Sequence, residues 1–412
     1  MSGLDATPRA NRLHIGFFGR RNAGKSSLAN LVTGQQAALV SDKAGTTTDP
    51  VLKSMELLPL GPVEILDTAG FDDEGELGKL RVEKTEEMLN RTDLALLVVS
   101  AAAYGDLSFE REWREKFSAA HTPVLGVLNK KDLLSGEELQ TVLEKLSKEL
   151  EIKFVAADAN DKACRAQLLS EIVAAAPSDF EKPVLCGDLF KPGSCVLLVA
   201  PQDRQAPKGR LILPQVQVIR DILDHRGSAY VCTPEELPAA LALLKKNPDL
   251  VITDSQVFAE VAKVLPEETP LTSFSILLAR SKGELSQFVA GARKIGELKE
   301  TDRVLIAEAC THAPINEDIG RVKIPRRLRQ IAGEGLTVDI VAGADFPKDL
   351  SPYALVIHCG GCMFTRKQLM SRLIEAAEQN VPITNYGVAL AFMNGILDRV
   401  VSIFEKNGKN GL

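Results

Sequence analysis

Eight residues near the N-terminus have the types and spacing of a loop that binds phosphate. The segment GRRNAGKS at 19–26 follows an apolar run at 13–18 and precedes the helical sequence SSLANL. In this pattern backbone N–H groups wrap the phosphates, Lys25 gives the outer phosphates a point charge, and Ser26 gives Mg²⁺ a hydroxyl. A glycine-rich turn that matches by chance is the alternative, and the flanking elements count against it. The predicted nucleotide-binding residues of this loop are Gly19, Arg21, Asn22, Ala23, Gly24, Lys25, Ser26 and Ser27.

A second segment, DTAG at 67–70, closes the apolar run at 63–67. At the end of a strand, Asp67 can hold the Mg²⁺ shell together with Ser26, while Gly70 can approach the terminal phosphate. The sequence therefore predicts the two halves of a Mg²⁺ site, one in each segment.

A third segment, NKKD at 129–132, closes the apolar run at 124–128. Its aspartate can accept two hydrogen bonds from the guanine edge that adenine cannot offer. Taken alone, Asp132 could instead cap a helix. The three segments in this order favour a guanine-nucleotide site, and the predicted base-binding residues are Asn129, Lys130 and Asp132.

Three cysteines and two histidines follow strand-like runs in the last third of the chain. Cys310 and His312 close one run, and His358, Cys359 and Cys362 close another. Thiolates on adjacent loops can hold an iron–sulfur cluster with one open iron position, which we favour. A structural zinc site of Cys₃His type and a redox pair remain the alternatives. Each histidine is a candidate ligand, a hydrogen-bond donor to a ligand, or an ordinary strand-end residue.

Composition limits the class of protein. The chain has 412 residues, a formal net charge of −6 and 25% charged residues, so it can bury several cores and lacks the basic field that nucleic acid requires. It shows no signal peptide and no run of about 18 apolar residues. We therefore expect a cytoplasmic protein with reduced thiols and with neither a nucleic-acid partner nor a membrane partner.

Short apolar runs alternate with helical patterns along the whole chain, which predicts an α/β protein with mostly parallel sheets. A segment rich in proline and glycine at 177–195 separates the first domain, 1–176, from the rest. We predict a second α/β domain, with its linker, over 177–268, and a third over 269–412. Predicted strands include 195–200, 229–233, 250–254 and 271–279, and predicted helices include 136–150, 366–379 and 387–405.

The first domain resembles the bacterial small GTPases of the tRNA-modification and ribosome-assembly type. The resemblance implies a switch at 44–49, in which Thr47 contacts Mg²⁺, and catalytic roles for Lys25, Thr47 and Asn22, with Asn22 recruiting K⁺. An ordinary turn asparagine is the alternative for Asn22. Phe71 stands where a glutamine would orient the attacking water, so GTP hydrolysis to GDP is expected to be slow and stimulated by K⁺. The fifth sequence motif of these GTPases contacts the base and usually contains serine followed by alanine. In this chain Ala156 and Ala157 stand at its place.

The GTPase motifs followed by the two cysteine motifs resemble the HydF family of [FeFe]-hydrogenase maturation GTPases, over essentially the full chain. Supporting segments are EACTHAPINEDIGRVKIP at 308–325, HCGGCMFTRKQL at 358–369 and PITNYG at 382–387. The resemblance implies a P-loop GTPase domain, a dimerisation domain and a domain that binds a [4Fe–4S] cluster through Cys310, Cys359 and Cys362. It further implies a homodimer that receives a transient di-iron precursor from two radical-SAM maturases and passes it to the apo-[FeFe]-hydrogenase.

Two rival hypotheses belong to other classes of function. The first is a ribosome- or tRNA-associated GTPase with a zinc-stabilised C-terminal domain, and the acidic net charge counts against it. The second is a redox-sensing GTPase that uses Cys359 and Cys362 as a dithiol.

Overall fold

The computed structural model of the chain describes residues 11–34, 51–70, 82, 84–177, 184–202, 211–309, 318–343 and 345–405. Its contacts divide the chain into two compact units, Met1–Lys182 and Pro183–Leu412. Among the described residues, no helix has both the length and the apolarity needed to cross a bilayer.

The first unit contains a six-stranded sheet with the order β2-β3-β1-β4-β5-β6. All its neighbouring strands are parallel except β2, which pairs with β3 in an antiparallel hairpin. The strands are β1 (Leu13–Phe18), β2 (Val51–Leu57), β3 (Gly61–Asp67), β4 (Leu94–Ser100), β5 (Val124–Asn129) and β6 (Phe154–Ala156). Helices of this unit include Lys25–Thr33, Ser108–Ala119, Gly136–Leu150 and Cys164–Ala175.

The centre of this sheet is buried on both faces. Every residue of β1 and β4 is buried, as expected for parallel strands that helices cover on both sides. On one face Phe18 packs against Trp113 and Phe117, with ring centroids 5.6 and 5.0 Å apart. The predictions of β1, β3, β5 and the helix Gly136–Leu150 are confirmed, whereas the hairpin strand β2 was not predicted.

The second unit contains two four-stranded sheets, both parallel throughout. The strands of the first are β7 (Cys195–Val199), β8 (Ser228–Cys232), β9 (Leu250–Thr253) and β10 (Leu271–Ser273). Those of the second are β11 (Arg303–Glu308), β12 (Thr337–Ala342), β13 (Leu355–His358) and β14 (Ile383–Asn385). Helices of this unit include Leu213–Asp224, Leu237–Leu243, Phe258–Val264, Phe274–Lys282, Leu285–Arg293, Ile324–Ala332, Arg366–Glu378, Tyr386–Met393 and Leu397–Glu405.

The two sheets have the same connectivity. In chain order, each places its second strand beside the first, then the third on the other side of the first, then the fourth beside the third. The segments that enter the fourth strand and the following helix are also alike: TPLTSFSILLARSKG at 269–283 and VPITNYGVALAFMNG at 381–395. The second unit is therefore an internal repeat of one parallel module, and the repeat was not predicted from the sequence.

Two predicted elements are wrong in part. The strand predicted at 271–279 ends at Ser273, whose hydroxyl accepts a hydrogen bond from the Ile276 N–H and starts a helix. This helix is buried around most of its circumference, and its apolar sequence therefore resembles that of a buried strand. The helix predicted at 387–405 is two helices separated by a break at Gly395, where φ is +70°.

The first module, which contains β7 to β10, extends across one of the predicted domain boundaries. β10 pairs with β9, so the first sheet of the second unit continues past the boundary predicted at 268. The division into 1–176, 177–268 and 269–412 remains a prediction.

Close packing between the helix Leu285–Arg293 and β14 leads to a stability prediction. A Cβ added at Gly291 would lie 2.6 Å from the carbonyl carbon of Ile383, closer than van der Waals contact allows. We expect Gly291→Ala to lower the free energy of unfolding by about 1–3 kcal/mol, because the backbone must move. The control is Gly136→Ala, whose Cβ meets nothing within 4 Å. Thermal unfolding that is equal in both variants would contradict the packing described here.

Candidate nucleotide site and candidate metal centre

The phosphate-binding segment forms the turn between β1 and the helix that begins at Lys25. Gly19, Asn22 and Gly24 have φ angles of +151°, +59° and +95°. Glycine is required at two of these positions, because a Cβ at Gly19 would collide with the Val98 carbonyl oxygen and one at Gly24 with the Asn129 side chain. The loop therefore follows the backbone path that lets N–H groups converge at a helix N-terminus.

Lys25 lies within this loop and is buried. Its ammonium donates hydrogen bonds to the carbonyl oxygens of Gly19, at 2.9 Å, and Arg20, at 3.0 Å. The positive charge is thus held at the centre of the turn, where a bound phosphate would meet it.

Asp67 closes β3 and is only 4% exposed. Burial raises the pKa of this carboxyl group, and a hydrogen bond from Ser26 and the charges of Lys25 and Lys53 oppose the shift. Its Oδ1 atom is buried without a hydrogen-bond partner among the described residues. A buried carboxylate oxygen of this kind, beside the Ser26 hydroxyl, fits a Mg²⁺ ion.

The base-binding segment is tied to the phosphate loop. The Asn129 amide donates to the Ala23 carbonyl oxygen at 2.9 Å and accepts from the Ala159 N–H at 3.1 Å. Lys130 has a φ of +63° and its ammonium donates to the Asn22 carbonyl oxygen at 3.1 Å. The structure thus brings these predicted residues together, and Asn129 and Lys130 have connecting contacts that the sequence did not reveal.

The remaining predicted nucleotide residues lie around these loops. Asp132 is exposed in the short turn Lys131–Leu133. Ala156 ends β6, which pairs with β5, and the Ala157 carbonyl oxygen accepts from the Lys131 N–H at 3.2 Å. Gly70 is buried just after β3, Ser27 is half-buried and Arg21 is exposed. Four residues named from the sequence lie outside the described residues: Thr47, Phe71, Cys310 and His312.

The second cysteine motif lies at the end of β13, which pairs with β11. The Cys359 N–H donates to the Ala307 carbonyl oxygen at 2.9 Å, and the Cys359 sulfur accepts from the Ala309 N–H at 3.0 Å. Since Ala309 follows β11, the ends of the two strands carrying the cysteine motifs are adjacent. Within the described ranges, no three His, Cys, Asp or Glu side chains are grouped to hold a metal ion.

His358 is fully buried and both ring nitrogens have partners. Nδ1 lies 2.7 Å from the Cys359 carbonyl oxygen, and Nε2 lies 2.9 Å from Nη1 of Arg372. Because a guanidinium only donates, Nε2 is the acceptor and Nδ1 is the donor. Burial and the charge of Arg372 lower the pKa of His358 to about 3, so the ring is neutral. As placed, His358 positions the loop and has no lone pair available for a metal.

Lys282 was not predicted to belong to this site. It is 7% exposed, and its ammonium donates to the carbonyl oxygens of Gly361, at 3.0 Å, Cys362, at 3.3 Å, and Phe364, at 2.8 Å. Burial lowers the pKa of Lys282 to about 8, and the sulfurs of Cys362 and Cys359 oppose the shift. The sequence carried no signal for this contact, because Lys282 is 79 residues from Gly361 in the chain.

Three family models match separate parts of the chain. Residues 14–130 match the model of the 50S ribosome-binding GTPase. Residues 185–283 match the hydrogen maturase F dimerization domain, and residues 286–403 match the hydrogen maturase F tetramerization domain. The chain belongs to the hydrogen maturase F (HydF) family. This finding confirms the resemblance based on the motifs.

The predicted fold class is also confirmed, because a P-loop GTPase domain is followed by further α/β structure with mostly parallel sheets. A GTPase domain of this type supports GTP binding and hydrolysis. The two HydF domains indicate that the chain forms oligomers.

Curated relatives that match part of the chain are GTPases. The tRNA modification GTPase MnmE of Desulfotalea psychrophila is 40% identical over 118 residues, which are 28% of this chain and 24% of that protein. GTPase Der of Wolinella succinogenes is 38% identical over 132 residues, which are 31% of this chain and 27% of that protein. The chain therefore spans about a quarter of the length of these relatives.

Among solved structures, a single-residue variant of Aquifex aeolicus Era bound to GDP and AlF₄⁻ is 18% identical to the chain. The alignment covers 61% of this chain and 97% of that one, with a TM-score of 0.37.

The exposed carboxylate of Asp132 gives a prediction on base selection. We expect Asp132→Asn to weaken GTP binding about 10- to 100-fold, since a hydrogen bond to a charged group contributes about 1.5–3 kcal/mol, and to favour xanthosine triphosphate. Titration calorimetry with both nucleotides measures the change. Asp161→Asn, in the same unit, is the control and should leave the preference unchanged. Unaltered GTP affinity in Asp132→Asn would show that another residue reads the base.

Proposed function

We propose that the protein is a GTPase and a scaffold and carrier for a metal cluster in [FeFe]-hydrogenase maturation. It receives the di-iron precursor of the hydrogenase active site and transfers it to the apo-hydrogenase. The observation that carries the proposal is the thiol loop at Cys359–Cys362, which lies beside β11 within the region that the HydF models match. The ribosome- and tRNA-associated alternative gains no support from this region.

The nucleotide site acts as a switch in this proposal. Lys25, Thr47 and Asn22 support hydrolysis, and Ser26, Thr47 and Asp67 hold Mg²⁺. Asn22 recruits K⁺, which supplies the positive charge that an arginine finger gives in other GTPases. Because Phe71 cannot orient a water molecule as a glutamine does, turnover is slow and depends on K⁺. The nucleotide state then sets which partner associates.

The metal centre is formed by Cys310, Cys359 and Cys362. Thiolates are the ligands that a [4Fe–4S] cluster requires, and the Ala309 N–H donates to the Cys359 sulfur in the manner that tunes such clusters. The cluster, when bound by three thiolates, supplies one iron position that can exchange ligands. In this chain His358, through its bond to the Cys359 carbonyl oxygen, orients the loop.

The partners proposed are two radical-SAM maturases that deliver the precursor and the apo-hydrogenase that accepts it, all in the cytoplasm. The domains proposed are the GTPase at 1–176, a dimerisation domain with its linker at 177–268 and the cluster domain at 269–412. No nucleic acid or membrane takes part.

We further propose that a second copy of the chain pairs through the open edge of β8. Among the described strands, β8 has a neighbour on one side only. The Ser228 N–H donates to the Ser194 carbonyl oxygen, and the Cys232 carbonyl oxygen accepts from the Ala200 N–H, both on the β7 side. Because peptide groups along a strand alternate in direction, those of Val231 face the open edge. Val231 is 45% exposed, and Leu223 on the helix packed beside β8 is 57% exposed. The HydF dimerization model covers this strand.

Paired variants test whether the GTPase and cluster sites are separate. Lys25→Ala should reduce GTP hydrolysis about 100-fold or more, as the loss of one charge-stabilising donor does in other enzymes, and keep the iron content of the wild type. Cys359→Ser should lose iron and keep nucleotide binding. Phosphate release and iron analysis of anaerobically purified protein give both values. If Cys359→Ser keeps all its iron, the thiol loop is not the cluster site.

A charge at the β8 edge tests the proposed dimer. We expect Val231→Lys to weaken self-association about tenfold or more, because a lysine on an edge strand opposes strand pairing. The control is Val264→Lys, at a valine of similar exposure (40%) on the helix Phe258–Val264. Light scattering over a concentration series measures both variants. Equal association of the two variants would exclude the β8 edge.

A further inference from the structure

A buried ammonium lies against the loop that carries the two cysteines. Lys282 is the last residue of the helix Phe274–Lys282, which belongs to the first module of the second unit. Its three hydrogen bonds go to main-chain carbonyl oxygens in the second module, between Gly361 and Phe364. One side chain therefore fixes the path of the loop around Cys362.

No carboxylate balances this charge within the part of the chain that the structure describes. The groups that act electrostatically on Lys282 are the sulfurs of Cys362 and Cys359. A buried charge is costly unless an opposite charge accompanies it, and carbonyl dipoles alone compensate only part of that cost. Thiolates that bind a metal cluster carry negative charge, and the ammonium of Lys282 lies against the loop that holds them.

Arg372 approaches the same motif from another helix. It is buried, its guanidinium lies 4.6 Å from the Phe346 ring centroid and 4.5 Å from that of Phe364, and Cys359 is among the groups that act on its charge. Unlike Lys282, Arg372 also has a carboxylate nearby, that of Glu375. Among the described residues, Lys282 therefore differs from Arg372 in having no carboxylate beside it.

The internal repeat provides a comparison within the molecule. When the segments 269–283 and 381–395 are aligned, Lys282 corresponds to Asn394. The loop after β9, which corresponds to the thiol loop after β13, reads TDSQVF in place of HCGGCMF. Asn394 is neutral, and its side-chain oxygen accepts a hydrogen bond from Arg327. Of these two equivalent positions, the charged one is therefore the one that contacts the thiol loop.

We propose that Lys282 is a positioning residue and the main counter-charge of the metal centre at Cys359 and Cys362. It holds the main chain around Cys362 and stabilises the negative charge of a thiolate-bound cluster, most strongly after the cluster accepts an electron. This inference rests on the proposed cluster. Its consequence is that the lysine raises the reduction potential of the cluster and slows its loss.

The test uses the full-length chain, reconstituted anaerobically with iron and sulfide. Lys282→Gln removes the charge and keeps hydrogen-bond donors, Lys282→Met removes both, and Lys282→Arg keeps the charge. The control is Lys294→Met, at an exposed lysine paired with Glu297. A redox titration followed by electron paramagnetic resonance gives the ratio of reduced to oxidised cluster at a fixed potential, and a chelator gives the rate of iron loss.

We expect Lys282→Gln and Lys282→Met to lower that ratio at least tenfold, which is about 59 mV for one electron, and to lose iron faster than the wild type. Lys282→Arg and the control should stay near the wild-type values. As a second measurement, the rise in melting temperature on loading the cluster should be larger in the wild type than in Lys282→Gln. Because each rise is measured against the same variant without its cluster, a variant that is less stable on its own does not distort the comparison.

Two results would overturn the inference in different ways. A Lys282→Gln protein that binds iron with the wild-type potential, chelation rate and melting shift would refute the role of Lys282 and leave the proposed function standing. A wild-type protein that takes up no iron under the same conditions would refute the proposed function and the inference with it.

Discussion

Parallel pairing of neighbouring strands is the constraint on which both candidate sites depend. Because β1 lies parallel to β3 and β4, and β4 to β5, the loops that follow these strands leave the sheet at one edge. Gly19, Asp67 and Asn129 all stand at such strand ends. The same rule brings the end of β11 beside the end of β13 in the second unit. Ligand sites at the carboxyl ends of parallel strands are the general outcome of this geometry.

Buried polar contacts then fix the shape of each loop. In the first unit, Asn129 joins the base-binding segment to the phosphate loop through the Ala23 carbonyl oxygen, and Lys25 spans the turn. In the second unit, the His358 ring donates to the Cys359 carbonyl oxygen at the start of the thiol loop. The Lys282 ammonium donates to the Gly361 carbonyl oxygen further along the same loop. Such contacts hold ligating atoms in place before a ligand binds, and this reduces the ordering cost of binding.

The sequence was sufficient where the signal is local. The phosphate loop needs glycine at Gly19 and Gly24 because of backbone collisions, and the strand and helix around it follow from apolar periodicity. The cysteine spacing likewise led to the HydF family, which the family models then matched. These features depend on residues close together in the chain.

Features set by distant contacts could not be predicted. The sequence predicts a strand at 271–279, which overlaps the helix Phe274–Lys282, because burial on nearly all sides removes the amphipathic pattern. The internal repeat rests on sheet order more than on sequence identity. Lys282 has no local signature, since its role arises from packing against a loop 79 residues away. The tertiary structure alone reveals that the thiol loop is bordered by a buried cation.

The most direct test of the account is the metal content of the full-length protein, purified without oxygen. The account predicts about four iron and four sulfide per chain after reconstitution, with an electron paramagnetic resonance signal of a reduced [4Fe–4S] cluster and no stoichiometric zinc. One zinc per chain without iron, held by the same cysteines, would contradict the central claim that this GTPase carries an iron–sulfur cluster.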